Sequence, residues 1–233
     1  HGYAIIPRGG GMSYTRGYLA DTPRAIALDL SGMNRVVSVD RENLTVTVEC
    51  GCTWKTLHEE LASHGLRVPV FGTMSGHNAT VGGGLSQGSI FYGSSRYGTS
   101  ADMVLGLEVV LPDGSLARTG QAATGRAKPF FRYYGPDLAG NFLGDGGALG
   151  VKVEATLRLI PTPAHVESAS FAFQDFESAW KAQTDIARAG LAAEVFSFDS
   201  NLQHQLMERN SLIDDVAALR KVVTSGGNLF KSV

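Results

Sequence analysis

Glycine is the residue that most limits what this chain can become. Of its 29 glycines, 26 lie in residues 1–150 and three, Gly190, Gly226 and Gly227, in residues 151–233. An even spread would put about 19 in the first stretch. They come singly, in pairs and in triplets among valines, leucines and aromatic rings, so neither a collagen repeat nor a flexible linker accounts for them. A folded first part whose backbone turns tightly, or approaches something closely, does.

Three clusters stand out. The first, Pro7-Arg8-Gly9-Gly10-Gly11-Met12-Ser13-Tyr14, directly follows the apolar Ala4-Ile5-Ile6. Consecutive glycines let successive backbone N–H groups converge on one point, a nest for anionic oxygens such as those of a pyrophosphate. Arg8 adds positive charge and Ser13 a hydroxyl; a plain glycine turn is the competing reading. The second cluster is ATVGGGLSQG at residues 79–88, followed by Tyr97-Gly98, and the third is GDGGALGV at residues 144–151. Each alone fits a bulge or tight turn. Three separated sites of close backbone approach point instead to a long ligand lying along the chain.

Familiar nucleotide loops do not fit. The first cluster lacks the Lys-Ser/Thr pair of a Walker loop. The segment after it, SYTRGYLADTP, is interrupted by Gly17 and ended by Pro23, too poor a helix for a nicotinamide Rossmann unit.

Strand and helix signals organise the rest. Residues 25–30, 36–39 and 44–49 read as strands, the last two as a hairpin about Asp40-Arg41-Glu42-Asn43. Residues 53–64 read as a helix with Trp54, Leu57 and Leu61 on one face, a capping-box pattern at Thr56 and Glu59, and Gly65 just past its end. The Gly/Ser/Thr-rich tract 71–100 keeps apolar residues throughout and reads as an ordered, ligand-facing segment. Residues 103–111 and 115–119 read as paired strands across Pro112-Asp113-Gly114, and residues 151–160 as an alternating strand closed by Pro161 and Pro163. Beyond Pro163 the texture changes. Phe171 and Phe173 sit on an alternating run, and Asp175 caps a helix carrying Phe176, Ala179, Trp180, Gln183 and Ile186 that ends at Gly190. Trp180 and Phe176, at helical spacing, read as core. Residues 201–223 continue in helical spacing. The expected division is 1–163 and 164–233.

Composition excludes several classes. With 43 % hydrophobic and 18 % charged residues the chain is not disordered. A net charge of −2 without a basic run gives no support to a nucleic-acid partner. No apolar stretch reaches the ~18–20 residues of a membrane span, and no signal-like segment is visible. A soluble, cytoplasmic protein is expected. Cys50 and Cys52 cannot form a disulfide framework and have too few companions for zinc, so they read as buried thiols and no metal site is expected. Glu154 and Arg158 share a strand face and read as solvated.

The order PRGGGMS, LDLSGMNRVVSVD, VTVECGCTWKTLHEEL, NATVGGGLSQ…RYG, VLGLEVVLPDGSL and GDGGALGVKVEATLRLIP, collinear over about residues 5–163, resembles the FAD-binding (PCMH-type) domain of the vanillyl-alcohol-oxidase superfamily. Within it, the chain looks most like the bacterial 2-hydroxy-acid dehydrogenases and oxidases of glycolate and D-lactate type. The resemblance implies an α+β fold: a two-subdomain FAD-binding domain of mixed sheets with flanking helices, followed by the start of an α+β cap domain that covers the flavin and binds substrate. It also implies that elements preceding PRGGG and the greater part of the cap lie outside this chain.

Carried over by position, Arg8, Gly9, Gly10, Gly11, Met12 and Ser13 would wrap the FAD pyrophosphate. Thr80, Gly82, Gly83 and Ser86 would run along the ribityl–pyrophosphate region with Ile90 nearby. Ser75 and Gly76 would approach the cofactor from the preceding loop, and Val151 would sit on the adenine side. Met12 stands where covalently linked members place His, and residues 72–83 (GTMSGHNATVGG) lack the Cys of doubly linked members, so non-covalent FAD is expected. His77 is the one histidine to consider near the flavin. The implied activity is hydride transfer from a small 2-hydroxy acid to FAD, giving the 2-keto acid, with oxygen, a quinone or a carrier protein reoxidising the flavin. Oxidation of another alcohol (aryl alcohol, sugar or lactone) and a flavin-free binding module are the alternatives. The resemblance names no catalytic base.

Overall fold

The computed structural model describes residues 2–73, 75–125 and 128–199. The chain divides into two compact units, residues 1–195 and 196–233; the helical spacing of residues 201–223 lies outside the described residues. Strand β1 (Ala4–Arg8) pairs in parallel with β2 (Ala25–Asp29), Ala4 opposite Ala25 and Arg8 opposite Asp29. A parallel pair needs a long connection. Here it is residues 9–24, without a helix, so the first glycine cluster begins at the C-terminal end of β1.

Strands β3 (Val36–Asp40) and β4 (Thr45–Glu49) form the expected hairpin. Its turn is tied by Asp40, whose carboxylate accepts the N–H groups of Glu42 and Asn43, and Leu44 takes a left-handed φ of 53°. Val46 and Val48 on β4 are fully buried while Thr45 and Thr47 alternate outward. Helix α1 (Trp54–Ala62) buries Trp54, Leu57 and Leu61, the predicted face. Its cap is Thr53, not Thr56: the Thr53 hydroxyl accepts the Thr56 N–H, because the chain enters extended from β4 and turns three residues earlier than the Thr56/Glu59 pattern suggests. The helix ends at its C-cap Ser63, and Gly65, at φ 68°, turns the chain into β5 (Leu66–Arg67).

The 71–100 tract contains α2 (Val81–Gln87) and α3 (Ser94–Tyr97). Strands β6 (Val104–Val110), β7 (Leu116–Arg118) and β8 (Val151–Arg158) join the hairpin in one antiparallel sheet of order β3-β4-β8-β6-β7. β9 (Ile160–Pro161) pairs with β5, and α4 (Phe176–Ala189) is capped by Asp175 and closed by Gly190 at φ 62° as expected. The core joins Val46, Val48, Leu107, Val109 and Leu157 of the sheet to Trp54, Leu57 and Leu61 of α1 and Val81 and Leu85 of α2. The α+β expectation is met.

Two further expectations fail. Phe176 and Trp180 stack on each other, centroids 6.1 Å apart, but are 79 % and 59 % exposed, so they are not core. Helical spacing aligned them, yet no described element covers that face. Glu154 and Arg158 are half-buried, not solvated; Glu154 faces Ala122, Gly125 and Pro129 of the loop after β7 across a shared cavity.

Candidate functional site: three glycine loops on one short helix

Helix α2 should not exist on propensity. Three of its seven residues are glycine, each costing about 1 kcal/mol relative to alanine. It is held by close packing that glycine alone permits. A Cβ on Gly82 would lie 2.7 Å from Cys50 Cβ, and one on Gly84 2.8 Å from the Trp54 ring. Its first N–H groups are all engaged: Val81 and Gly82 donate to the carbonyls of Cys52 and Cys50, Gly83 to the Thr80 hydroxyl and Gly84 to the Thr80 carbonyl. Thr80, 4 % exposed, is the N-cap.

The first loop crosses this helix at its start. A Cβ on Gly9 would collide with Thr80 Oγ1 and one on Gly10 with the Asn78 carbonyl oxygen. Gly11 turns left-handed at φ 67° with the Arg8 guanidinium folded over it, a Cβ there lying 3.2 Å from Arg8 Nη2. Among the described residues no protein acceptor takes the N–H groups of residues 9–13. Further along, Ser13 Oγ meets Thr15 Oγ1 at 2.8 Å, and Thr15 Oγ1 donates to Gln87 Oε1 at the far end of α2. Met12 is exposed.

The third loop closes on that far end. Gly144 N–H donates to Leu85 O at 2.9 Å and Gly146 N–H to Ser86 O at 2.8 Å, satisfying carbonyls a helix C-terminus leaves open. A Cβ on Gly147 would touch Pro7 at 3.7 Å. Three clusters separated by about 70 residues each in sequence thus meet around α2, as a cradle for one elongated ligand would require.

The remaining carried-over residues fall in different settings. The Ser75 carbonyl accepts the N–H groups of Asn78 and Ala79, shaping the turn into Thr80. Gly76 is buried against Phe71, and its carbonyl accepts the Lys55 N–H, so it braces α1. Gly83 and Ser86 are half-buried, Ile90 is 64 % exposed, and Val151 opens β8 opposite Val110. A cavity of about 430 Å³ lies beside the crossing, lined by Gly10, Asn78, Thr80 and His77 and, opposite, by Ser31 and Thr53.

The chemistry of the cradle is electrostatic. Free amides on a glycine run beside a guanidinium suit anionic oxygens, whereas the N-terminal amides of α2 are already occupied by the protein itself. The two thiols are inert: burial pushes Cys50 up to about 12 and Cys52 up to about 11. Among the described residues no group of three or more His, Cys, Asp and Glu side chains could hold a metal ion, and no helix is long and apolar enough to cross a membrane. Sequence reasoning missed three structural participants: Asn78, whose carbonyl underlies Gly10, Gln87, and the buried Lys152–Asp145 pair. Asn78 acts through its main chain, which leaves no side-chain signature.

A fold of this kind, with main-chain amides gathered for a long anionic ligand, defines a dinucleotide-binding domain. Residues 1–120 match the family described as FAD binding domain, and the chain belongs to that family, within the vanillyl-alcohol-oxidase superfamily; its cofactor is FAD. A glycolate oxidase subunit of Bacillus subtilis is 31 % identical over 198 residues, covering 85 % of this chain and 40 % of that protein. A probable mitochondrial D-lactate dehydrogenase of Danio rerio is 36 % identical over 187 residues, covering 80 % and 36 %. Among solved structures an alkyldihydroxyacetonephosphate synthase superposes with a TM-score of 0.58 at 25 % identity, covering 70 % of this chain and 28 % of that one. The chain spans less than half the length of these relatives.

Proposed function

We propose that the protein containing this chain is an FAD-dependent oxidoreductase acting on CH–OH groups, and that its substrate is a small 2-hydroxy acid of glycolate or D-lactate type. The observation that carries the cofactor part is the first loop: five consecutive amides, residues 9–13, without an acceptor among the described residues, beside Arg8 and pinned by glycine contacts to Asn78 and Thr80. Those residues fit a pyrophosphate. The substrate part is supported by the relatives named glycolate oxidase subunit and D-lactate dehydrogenase.

Bound flavin supplies the hydride-accepting ring. The chain's own residues bind and orient. Arg8 and the amides of Gly9, Gly10, Gly11, Met12 and Ser13 hold the anionic bridge. Thr80, Gly82, Gly83 and Ser86 keep α2 in place alongside it, Ser75 and Gly76 shape the turn leading to it, and Ile90 and Val151 flank the cradle. Met12 at the first loop offers no nitrogen or thiolate for a covalent link, so FAD is held non-covalently. The segment beyond Pro163 begins the domain that selects substrate, and the electron acceptor is oxygen, a quinone or a carrier protein. The cytoplasm is the proposed compartment.

Full-length protein is to be incubated with a panel of 2-hydroxy acids and an artificial electron acceptor. Acceptor reduction with glycolate or D-lactate, and formation of the 2-keto acid, is expected. Activity confined to an aryl alcohol, sugar or lactone would place the substrate elsewhere in the superfamily.

A further inference from the structure

The third glycine loop and the strand that follows it carry two of the most deeply buried charges among the described residues. Lys152 Nζ donates to Asp145 Oδ1 at 2.6 Å, and both side chains are only 2 % exposed. The same carboxylate accepts the N–H of Gly147 at 3.0 Å and that of Leu149 at 3.3 Å. Asp145 therefore folds residues 145–149 about itself. On either side of it, Gly144 and Gly146 donate to Leu85 and Ser86 at the end of α2. Lys152 is anchored in β8 opposite Val109 and belongs to the sheet.

Such a pair is a poor means of adding stability, since desolvating two charges offsets most of their attraction. Its geometric effect is large, because either charge left alone in this interior would be strongly disfavoured. We propose that Lys152 and Asp145 are positioning residues for the cofactor: the ion pair fixes the third loop to the sheet and, through Gly144 and Gly146, sets where the C-terminal end of α2 lies relative to the first loop. This rests on the reading of the three loops as the FAD cradle.

The test is a double-mutant cycle on full-length protein, Lys152→Met, Asp145→Asn and the two combined, with FAD affinity read by flavin fluorescence titration of apoprotein. Asn at 145 keeps an oxygen for the Gly147 N–H. Each single change is expected to weaken FAD binding by about tenfold or more, and the double to weaken it no further than the worse single, because either change alone already removes the tie. Hydrogen exchange gives a readout independent of flavin. In Lys152→Met the Gly144 and Gly146 amides are expected to lose protection by about tenfold or more while the amides of β8 keep theirs. Should Lys152→Met not fold, Asp145→Asn and the double variant still complete the comparison of exchange at Gly144 and Gly146. Single variants that bind FAD within twofold of the parent, or losses that simply add in the double, would overturn the proposal. If the parent binds no FAD, the reading of the cradle fails separately, and unchanged exchange at Gly144 and Gly146 in the variants would overturn the positioning role on its own.

Discussion

Gly10 rests on the main-chain carbonyl of Asn78 with no room for a methyl group between them. Contact between two backbones 68 positions apart is what places the first glycine loop over the start of α2. Gly10→Ala would push the loop off that carbonyl, and backbone, unlike a flexible side chain, cannot swing aside. FAD affinity is expected to fall by about tenfold or more in a fluorescence titration. Gly17→Ala in the same connection has only the Thr15 hydroxyl at 3.6 Å to meet, and the same titration should leave it within about threefold of the parent.

Thr80→Ala removes the α2 cap and the hydroxyl that meets Gly9. A lost N-cap costs about 1 kcal/mol, and α2, with three glycines, has little propensity to resist fraying. Urea unfolding should show a destabilisation of about that size, while Thr80→Ser, which keeps the hydroxyl, should restore most of it.

Glu154 stands between Glu49 and Glu108 on adjoining strands of one sheet. Burial, reinforced by those two carboxylates, raises its pKa. A carboxyl raised in the fold binds its proton more tightly there than in the unfolded chain, so its ionised form costs stability at neutral pH. Glu154→Gln is expected to raise Tm at pH 7 by on the order of 2 °C, and the gain should shrink as the pH falls through the folded-state pKa.

Glu49 has the opposite sign. The Arg35 guanidinium and backbone N–H bond its carboxylate, 7 % exposed, and hold it below the usual carboxylate range. Its contribution is present above the unfolded carboxyl pKa and is lost as pH falls through the lower folded value. Glu49→Gln should therefore destabilise at pH 7 and converge on the parent in strong acid, measured by thermal melts across pH.

Cys50 and Cys52, pushed up to about 12 and about 11 by burial, should not react with a thiol reagent in the native state at pH 8. Both should titrate at once in guanidinium chloride.

Much of the architecture could be read from local patterns because local physics decides it. Alternation in residues 45–49 buried Val46 and Val48, and the Trp54/Leu57/Leu61 spacing gave the face of α1. Failures came where distant contacts decide. Thr53 caps α1 because of how β4 delivers the chain, and α2 exists because Cys50 and Trp54 receive its glycines. Lys152, inside an alternating strand, gave no sign that Asp145 would bury it. The glycine clusters themselves were visible, but their meeting around one helix is a fact of tertiary structure.

Non-covalent binding of FAD by the first loop is the proposed property on which the others depend. The visible spectrum of purified full-length protein, followed by the spectrum of the supernatant after acid precipitation, tests it. A yellow preparation that releases all its flavin to the supernatant is the expected result. Protein that is colourless and fails to take up added FAD, or flavin that stays in the pellet, would contradict it.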